Sequence, residues 1–173
     1  MTKHQANATE GVIEFLRKKD YILVRELGQG ACGKTVLLRD DGIGEQFVCK
    51  KYAPFSEAHR ESLFQNFVNE IKLLLRANHP NIVRVFNYYL FPERFAGFIL
   101  MEHVDGQDIE TFLSTQPERT NDVFVQVIDG FRYLESNQIL HRDIRPANIL
   151  VRADGVVKII DLGFREDLKN PRK

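Results

Sequence analysis

The chain has 173 residues, of which 43% are apolar and 28% are charged, a balance typical of soluble globular proteins. Its 24 basic and 24 acidic residues leave a formal net charge of zero, which argues against nucleic acid as the main partner, because proteins that bind phosphate backbones usually carry a basic excess. The length allows one domain, or two small lobes that share a cleft.

The first predicted element is a helix over residues 7–19. Asn7, with Glu10 three residues later, forms a capping-box pattern. The basic residues 17–19 are favourable at the negative end of a helix. One side of this helix is apolar and consists of Val12, Ile13, Phe15 and Leu16. We expect the helix to pack on the body of the protein, with docking to a partner as the alternative.

A glycine-rich stretch follows a predicted strand at residues 21–27. Its sequence, Gly28-Gln29-Gly30-Ala31-Cys32-Gly33-Lys34-Thr35, fits two phosphate-binding patterns, G-x-G-x-x-G and the Walker A pattern G-x-x-x-x-G-K-T. Both patterns use glycine because a backbone without Cβ lets N–H groups approach phosphate oxygens closely. A Walker A loop must open a helix, but here a turn rich in Asp and Gly follows at residues 39–44. A second strand is predicted at residues 46–52, and this order favours the first pattern.

Two charged residues lie in the next two elements. Lys50 belongs to the second strand, in Phe47-Val48-Cys49-Lys50. A long helix is predicted over residues 57–77, with Ser56 as its cap, because apolar residues recur there at three-to-four spacing. Glu70 lies on the edge of that apolar stripe. Each of these charges, taken alone, is more often a solvated surface charge.

The remaining elements are predicted from apolar runs and turn residues. His79-Pro80-Asn81 ends the long helix, since proline disfavours helical geometry at the residue before it. Strands are then predicted at residues 82–90, 96–101, 149–152 and 156–160, with helices at 108–114 and 121–136.

A polar loop lies between two apolar runs in Ile139-Leu140-His141-Arg142-Asp143-Ile144-Arg145-Pro146-Ala147-Asn148-Ile149. It carries a carboxylate, two guanidinium groups and an amide within eight residues. Such a loop can hold an acceptor hydroxyl, a phosphate and a metal ion around one point. It resembles the catalytic loop H-R-D-x-x-x-x-N of protein kinases.

Six further elements occur in the order found in that family, so the resemblance covers residues 21 to about 164. They are the glycine loop, the strand lysine, the helix glutamate, the H-P-N turn, a hinge at Met101–Gly106 and Asp161-Leu162-Gly163, which resembles D-F-G. The resemblance implies an α+β, bilobal, protein-kinase-like fold. Its N-lobe (residues 21–104) would be an antiparallel sheet with one long helix, called αC in the family. Residues 105–173 would form a reduced, mainly helical C-lobe, and residues 1–20 a helical extension.

The resemblance also implies a role for each matching residue. Asp143 would orient the acceptor hydroxyl and take its proton, and Arg145 would steady the moving γ-phosphoryl group. Lys50, fixed by Glu70, would contact the α- and β-phosphates of ATP. Asn148 and Asp161 would bind Mg²⁺, with Mn²⁺ as the alternative. The other nucleotide contacts would come from Gly28, Gly30, Gly33, Val48, the backbone of Glu102 and Val104, Asp108 at the ribose, and Leu150.

The implied function is ATP-dependent transfer of phosphate to a protein hydroxyl. Ser or Thr is favoured as acceptor, but Tyr stays open because Arg145 stands where Ser/Thr kinases usually have Lys, and autophosphorylation stays open as well. Residues 156–161 also fit a Walker B strand, so an NTPase is one alternative. A small-molecule kinase is another, because the region that would bind a protein substrate is absent from the sequence. A nucleotide-binding scaffold regulated by a partner is a third.

Only ten residues follow the D-L-G triplet, whereas the family continues through an activation segment, an A-P-E motif and several helices. We therefore expect a minimal form of the fold that is either always competent or switched by a regulatory protein partner, with a partner or a second copy as the candidates to cover the unsupported side of the catalytic loop. ATP and a protein substrate are the other expected partners.

The cysteines and the N-terminal residues give information on the cellular compartment of the protein. No apolar run approaches the ~20 residues of a membrane span, and residues 1–10 lack the apolar core of a signal peptide. Cys32 and Cys49 lack metal-ligand spacing and are more typical of a reduced compartment than of a disulfide scaffold. These features predict a cytoplasmic protein, although secretion without a cleaved signal would leave no mark in the sequence.

Overall fold

The computed structural model describes residues 8–9, 12–13, 20–30, 33–52, 60–141 and 143–162. Within these residues the chain forms ten strands and three α-helices. In chain order they are β1 (Ala8–Thr9), β2 (Val12–Ile13), β3 (Tyr21–Gly30), β4 (Gly33–Asp40), β5 (Gln46–Tyr52), α1 (Arg60–Arg76), β6 (Val85–Phe91), β7 (Ala96–Glu102), β8 (Gly106–Asp108), α2 (Ile109–Thr115), α3 (Thr120–Ser136), β9 (Ile149–Arg152) and β10 (Val157–Ile159).

The larger sheet is antiparallel and has the strand order β3-β4-β5-β7-β6. Side chains alternate along each strand, so one face of the sheet receives the apolar stripe of α1. Phe67 is buried in this contact, and its ring stacks on Tyr52 with centroids 4.2 Å apart. Phe64, Ile71 and Leu74 lie in the same apolar cluster. The helix therefore holds β5, and with it Lys50, from one side.

A smaller antiparallel sheet has the order β10-β9-β8 and packs with α2 and α3. Its own apolar cluster includes Phe112, Val123, Val151 and Val157. Val123 and Val157 are fully buried. Gly130 allows α3 to approach β10, because a Cβ there would lie 2.6 Å from Cδ1 of Ile159. The polar loop at residues 139–148 leads directly into β9, and Asp161 follows shortly after the end of β10.

A short junction joins the two sheets. Ile82 and Ile159 form an isolated parallel bridge, in which Val83 N donates to Ile159 O at 2.9 Å and Ile159 N donates to Asn81 O at 2.8 Å. Ile82 and Ile159 are buried in the apolar cluster that also contains the α1 residues. The first apolar core therefore continues across the junction between the two sheets.

The predicted α+β fold, with an antiparallel sheet and one long helix in its first part, is confirmed. The strand at residues 46–52 has the predicted bounds, and β3 extends three residues further than predicted. The start of the long helix at residue 57, with its cap at Ser56, lies outside the described residues. The predicted domain boundaries at residues 20 and 104 stay a prediction.

The helix predicted over residues 7–19 is wrong at the four positions that are described there. Ala8 pairs with Ile13 and Thr9 pairs with Val12 in an antiparallel ladder. The pairing residues Thr9, Val12 and Ile13 are β-branched, which favours strands over helices. The residues between the paired positions, Glu10 and Gly11, are outside the described set, as are residues 14–19. Among the described helices, none combines the length and the apolar composition needed to cross a membrane.

Candidate active site

A cleft of about 630 Å³ lies between the two sheets. The larger sheet contributes its glycine hairpin and Lys50, and the smaller sheet contributes the catalytic loop and Asp161. Most of the residues predicted to form the site line this cleft, namely Gly28, Gly33, Val48, Lys50, Glu102, Val104, Asp143, Arg145, Asn148, Leu150 and Asp161. The fold thus brings together residues up to 133 positions apart in the chain.

The described residues of the glycine-rich stretch belong to the ends of β3 and β4, which pair as an antiparallel hairpin with Gly30 opposite Gly33. Gly33 has φ +134°, and a Cβ at this position would lie 2.2 Å from the carbonyl oxygen of Lys51. Only glycine accepts both this backbone conformation and this close approach. Residues 33–40 continue as a strand, so the helix that a Walker A loop requires is not formed. Lys34 forms an ion pair with Glu26 on the neighbouring strand, and both side chains are exposed.

Lys50 points from β5 into the cleft, where its Nζ lies 2.5 Å from Oδ1 of Asp161. Asp161 has φ +61°, a left-handed conformation that aspartate tolerates better than most residues and that is frequent at functional sites. The predicted partner Glu70 lies within α1, but its side chain is outside the described set. The pair of Lys50 with Glu70 therefore stays a prediction.

The catalytic loop is held by Asn148. This side chain is 2% exposed, and its Nδ2 donates to the carbonyl oxygen of Asp143 at 2.9 Å and to Oδ2 of Asp143 at 3.1 Å. Nε of Arg145 lies 3.4 Å from the same Oδ2. The carbonyl of Asn148 accepts from Ile160 N at 2.9 Å, which joins the loop to the end of β10. Arg142 lies outside the described residues.

His141 is a buried member of the loop to which sequence reasoning gave no role. Its Nδ1 accepts a hydrogen bond from Asp143 N at 3.3 Å, and its ring packs on Phe131. Its Nε2 is buried without a hydrogen bond of ordinary geometry among the described residues. Burial lowers the pKa of His141, and this outweighs the Ile160 carbonyl and the carboxylates of Asp143 and Asp161, which act in the opposite direction. The imidazole is therefore favoured in its neutral form.

The linker between the two sheets begins at the end of β7. Glu102 N donates to Arg84 O at 2.8 Å, and the Glu102 carboxylate accepts from Arg84 N at 3.2 Å. Both carboxylate oxygens lie 2.9 Å from Nζ of Lys158 in β10. Sequence reasoning missed this pair, because its members lie 56 positions apart. The only local signal was a lysine between the buried residues Val157 and Ile159.

Asp108 does not line the cleft. It is the N-cap of α2, where its carboxylate accepts from Thr111 N at 2.9 Å and from Thr111 Oγ1 at 2.7 Å. These hydrogen bonds lower the pKa of Asp108, because they stabilise its charged form. The predicted contact with a ribose is therefore not supported by this position.

The donors in the cleft fit a hard cation of the Mg²⁺ type. Mg²⁺ prefers oxygen ligands and is usually held by one or two carboxylates together with substrate phosphates. Asp161 supplies a carboxylate. Because the amide nitrogen of Asn148 is used by Asp143, its amide oxygen is the atom available to a cation. Across the part of the chain that the structure describes, His, Cys, Asp and Glu form no cluster of three that could hold a metal ion alone.

Comparison with known proteins gives one family. Residues 21–173 match the model of the protein kinase domain. The chain is 33% identical over 168 residues to the serine/threonine-protein kinase SSN3 of Coccidioides immitis, covering 90% of this chain and 35% of that protein.

Two further relatives are similar at about the same level. The probable serine/threonine-protein kinase MRK1 homolog of Encephalitozoon cuniculi is 30% identical over 156 residues, covering 87% of this chain and 46% of the relative. An Aurora kinase of Candida glabrata is 31% identical over 156 residues, covering 86% and 42%. The chain thus spans less than half the length of each of these curated relatives. Together, the domain match and the arrangement of the cleft show that the chain belongs to the protein kinase domain family.

Proposed function

We propose that this chain is an Mg-ATP-dependent protein kinase that transfers the γ-phosphoryl group of ATP to a protein hydroxyl, with Ser or Thr favoured. The convergence of Lys50, Asp143, Asn148 and Asp161 on one cleft carries this proposal. Phosphoryl transfer requires mainly positioning and charge stabilisation, and these four side chains can supply both. The names of the matched relatives support Ser or Thr as acceptor.

The glycine hairpin and Lys50 form the nucleotide side of the proposal. Backbone N–H groups near Gly28 and Gly33 can approach phosphate oxygens, and Lys50 supplies a positive charge on the same side of the cleft. Val48 and Leu150 line the cleft from the two different sheets, so they can pack on opposite faces of a flat adenine ring. The backbone of Glu102 and Val104 can then hydrogen-bond its edge.

Asp161 and Asn148 would hold Mg²⁺, or Mn²⁺ in its place. The ion, when bound, supplies positive charge that offsets the charge on the phosphates. Lys50 lies beside Asp161, so nucleotide phosphate and metal would meet at this pair. Glu70 is the proposed second partner of Lys50.

Asp143 is the proposed acceptor-side residue. Its carboxylate would accept a hydrogen bond from the substrate hydroxyl and later take its proton. A carboxylate is a weak base toward an alcohol, so the proton moves late, after the oxygen has begun to bond to phosphorus. Asn148 fixes the direction of this carboxylate through a hydrogen bond. The Arg145 side chain is largely exposed, with its Nε 3.4 Å from Oδ2 of Asp143, and it would steady the moving phosphoryl group.

The test is transfer of labelled γ-phosphate from Mg-ATP to the protein itself and to a mixed protein acceptor. Asp143→Asn and Lys50→Met are measured beside the wild type, with Lys72→Met on the exposed side of α1 as the matched control. We expect label on protein in the wild type and in the control, and none in the two site variants. Digestion of labelled protein then identifies the acceptor as Ser, Thr or Tyr.

Two results would contradict the proposal. Hydrolysis of ATP without labelled protein would point to an NTPase or a small-molecule kinase. Nucleotide binding without transfer or hydrolysis would point to a scaffold that needs a partner.

A further inference from the structure

The ion pair between Glu102 and Lys158 is largely enclosed by protein. The side chain of Lys158 is 12% exposed and that of Glu102 is 22% exposed. Nζ of Lys158 lies 2.9 Å from each carboxylate oxygen, and Arg84 N is a further donor to the carboxylate. Charges are removed from water in this way only where close partners compensate the loss of solvation.

The pair connects the two halves of the cleft. Glu102 is the last residue of β7 and lines the cleft where adenine would bind, and its carboxylate accepts from Nζ of Lys158 and from Arg84 N. Lys158 lies in the middle of β10, three residues before Asp161. One contact thus joins the proposed adenine-binding backbone to the strand that carries the proposed metal ligand.

The strand leaves Asp161 little freedom relative to Lys158. The N–H and the carbonyl of Ile159 are hydrogen-bonded to residues 81 and 83, and Ile160 N donates to the carbonyl of Asn148. Gln126 of α3 accepts from Val157 N at 3.0 Å and donates to Gly155 O at 2.9 Å. A displacement of β10 at Lys158 would therefore be carried along the strand to Asp161.

We infer that the Glu102–Lys158 pair is a positioning device that couples adenine binding at the linker to metal binding at Asp161. This inference rests on the proposed Mg-ATP site. With the pair formed, the linker and Asp161 are aligned before the nucleotide arrives, so adenine and the metal-bound phosphates reach their partners together. Without the pair, part of the binding free energy must be used to align the linker with Asp161. This cost lowers the affinity of Mg-ATP, which uses both halves of the cleft, and leaves the affinity of adenosine, which uses only the linker, nearly unchanged.

Binding measurements test this without any turnover. The affinities of adenosine, of ATP with EDTA and of ATP with Mg²⁺ are measured by calorimetry for the wild type, Lys158→Met and Lys158→Arg, with Lys72→Met as the control. In Lys158→Met we expect the gain in ATP affinity caused by Mg²⁺ to fall at least about fivefold, the lower range of typical coupling between sites. Adenosine affinity should change less than about twofold, because adenosine uses one half only. Lys158→Arg, which keeps the charge and can bind both oxygens, should retain most of the gain.

A charge exchange separates coupling from folding. The double variant Glu102→Lys with Lys158→Glu should recover part of the Mg²⁺-dependent gain that either single change loses. Melting curves show whether each variant is folded, and Lys158→Arg keeps the test open if Lys158→Met is not.

Two outcomes would overturn the inference. One is an unchanged Mg²⁺-dependent gain in ATP affinity in folded Lys158→Met, and the other is an equal loss of affinity for adenosine and for Mg-ATP. If the wild type itself bound no Mg-ATP, the proposed function would fail as well. Normal binding by the wild type with unaffected variants would remove only the coupling.

Discussion

Asn148 controls the direction of Asp143 through two hydrogen bonds from one nitrogen. Nδ2 of Asn148 donates to the carbonyl oxygen of Asp143 at 2.9 Å and to its Oδ2 at 3.1 Å. Asn148 is buried, so water does not compete for these bonds. One amide therefore fixes both the backbone and the carboxylate of the residue that we propose to meet the acceptor.

Asn148→Ala should slow phosphoryl transfer by roughly 10- to 100-fold, because a hydrogen bond to a charged group is worth about 1.5–3 kcal/mol. Because Asn148 is also a proposed Mg²⁺ ligand, the variant should need a higher Mg²⁺ concentration than the wild type to reach its half-maximal rate. The measurement is kcat at saturating ATP over a Mg²⁺ titration, with Asn87→Ala on the exposed β6 strand as the control. A normal rate at every Mg²⁺ concentration would remove Asn148 from the site.

Gly33→Ala should destabilise the fold. An alanine at φ +134° costs of order 1–3 kcal/mol, and its Cβ would lie 2.2 Å from the carbonyl oxygen of Lys51. The matched control is Gly28→Ala in the same hairpin, where no heavy atom lies within 4 Å of the added Cβ. We expect Gly28→Ala to change the free energy of unfolding by less than about 0.5 kcal/mol. Urea unfolding of both variants makes the comparison, and equal midpoints would show that the hairpin is not constrained at Gly33.

Local patterns predicted much of the fold. The strand at residues 46–52 follows a turn rich in Asp and Gly, and the apolar stripe of α1 recurs at helical spacing, so each could be identified without long-range contacts. The catalytic loop was recognisable because Asp143 and Asn148 act together and lie only five positions apart. The N-terminal helix was predicted wrongly at its described positions, because its capping and apolar patterns were weighed above the strand preference of the β-branched residues 9, 12 and 13.

Tertiary contacts set the rest of the site. Lys50 contacts Asp161 across 111 positions of the chain, and Glu102 contacts Lys158 across 56. No periodicity in the sequence encodes such a distance. The cap at Asp108 is a different case, since an aspartate three residues before Thr111 at a helix start is a local signal. The sequence analysis did not use this signal, because the family resemblance assigned the same carboxylate to a ribose.

Asp108→Ala distinguishes these two roles of Asp108. As an N-cap, the side chain stabilises α2, so its removal should lower the free energy of unfolding and the midpoint of urea unfolding. The Kd for ATP should change less than about twofold, because the carboxylate is hydrogen-bonded to Thr111 outside the cleft lining. Asp108→Asn retains a capping oxygen and should be nearly as stable as the wild type. If both variants instead lost ATP affinity at unchanged stability, the ribose contact would be restored.

His141 should make the fold sensitive to mild acid. Burial lowers the pKa of His141 below the ordinary value of 6.5, so the unfolded chain binds this proton more readily than the folded chain does. Stability therefore rises with pH between the lowered pKa and about 6.5. This contribution is complete above that range and is lost as the pH falls through it.

Replacing His141 by Gln removes the titration and keeps an acceptor for the N–H group of Asp143. Urea unfolding from pH 5 to 8 should give a steeper loss of stability at low pH for the wild type than for His141→Gln. The difference between the two curves should be constant above pH 6.5 and shrink below it, because only the wild type must keep this imidazole neutral. Parallel curves over the whole range would mean that the proton reaches His141 in the folded protein as easily as in the unfolded chain, against the burial of the ring beside Phe131.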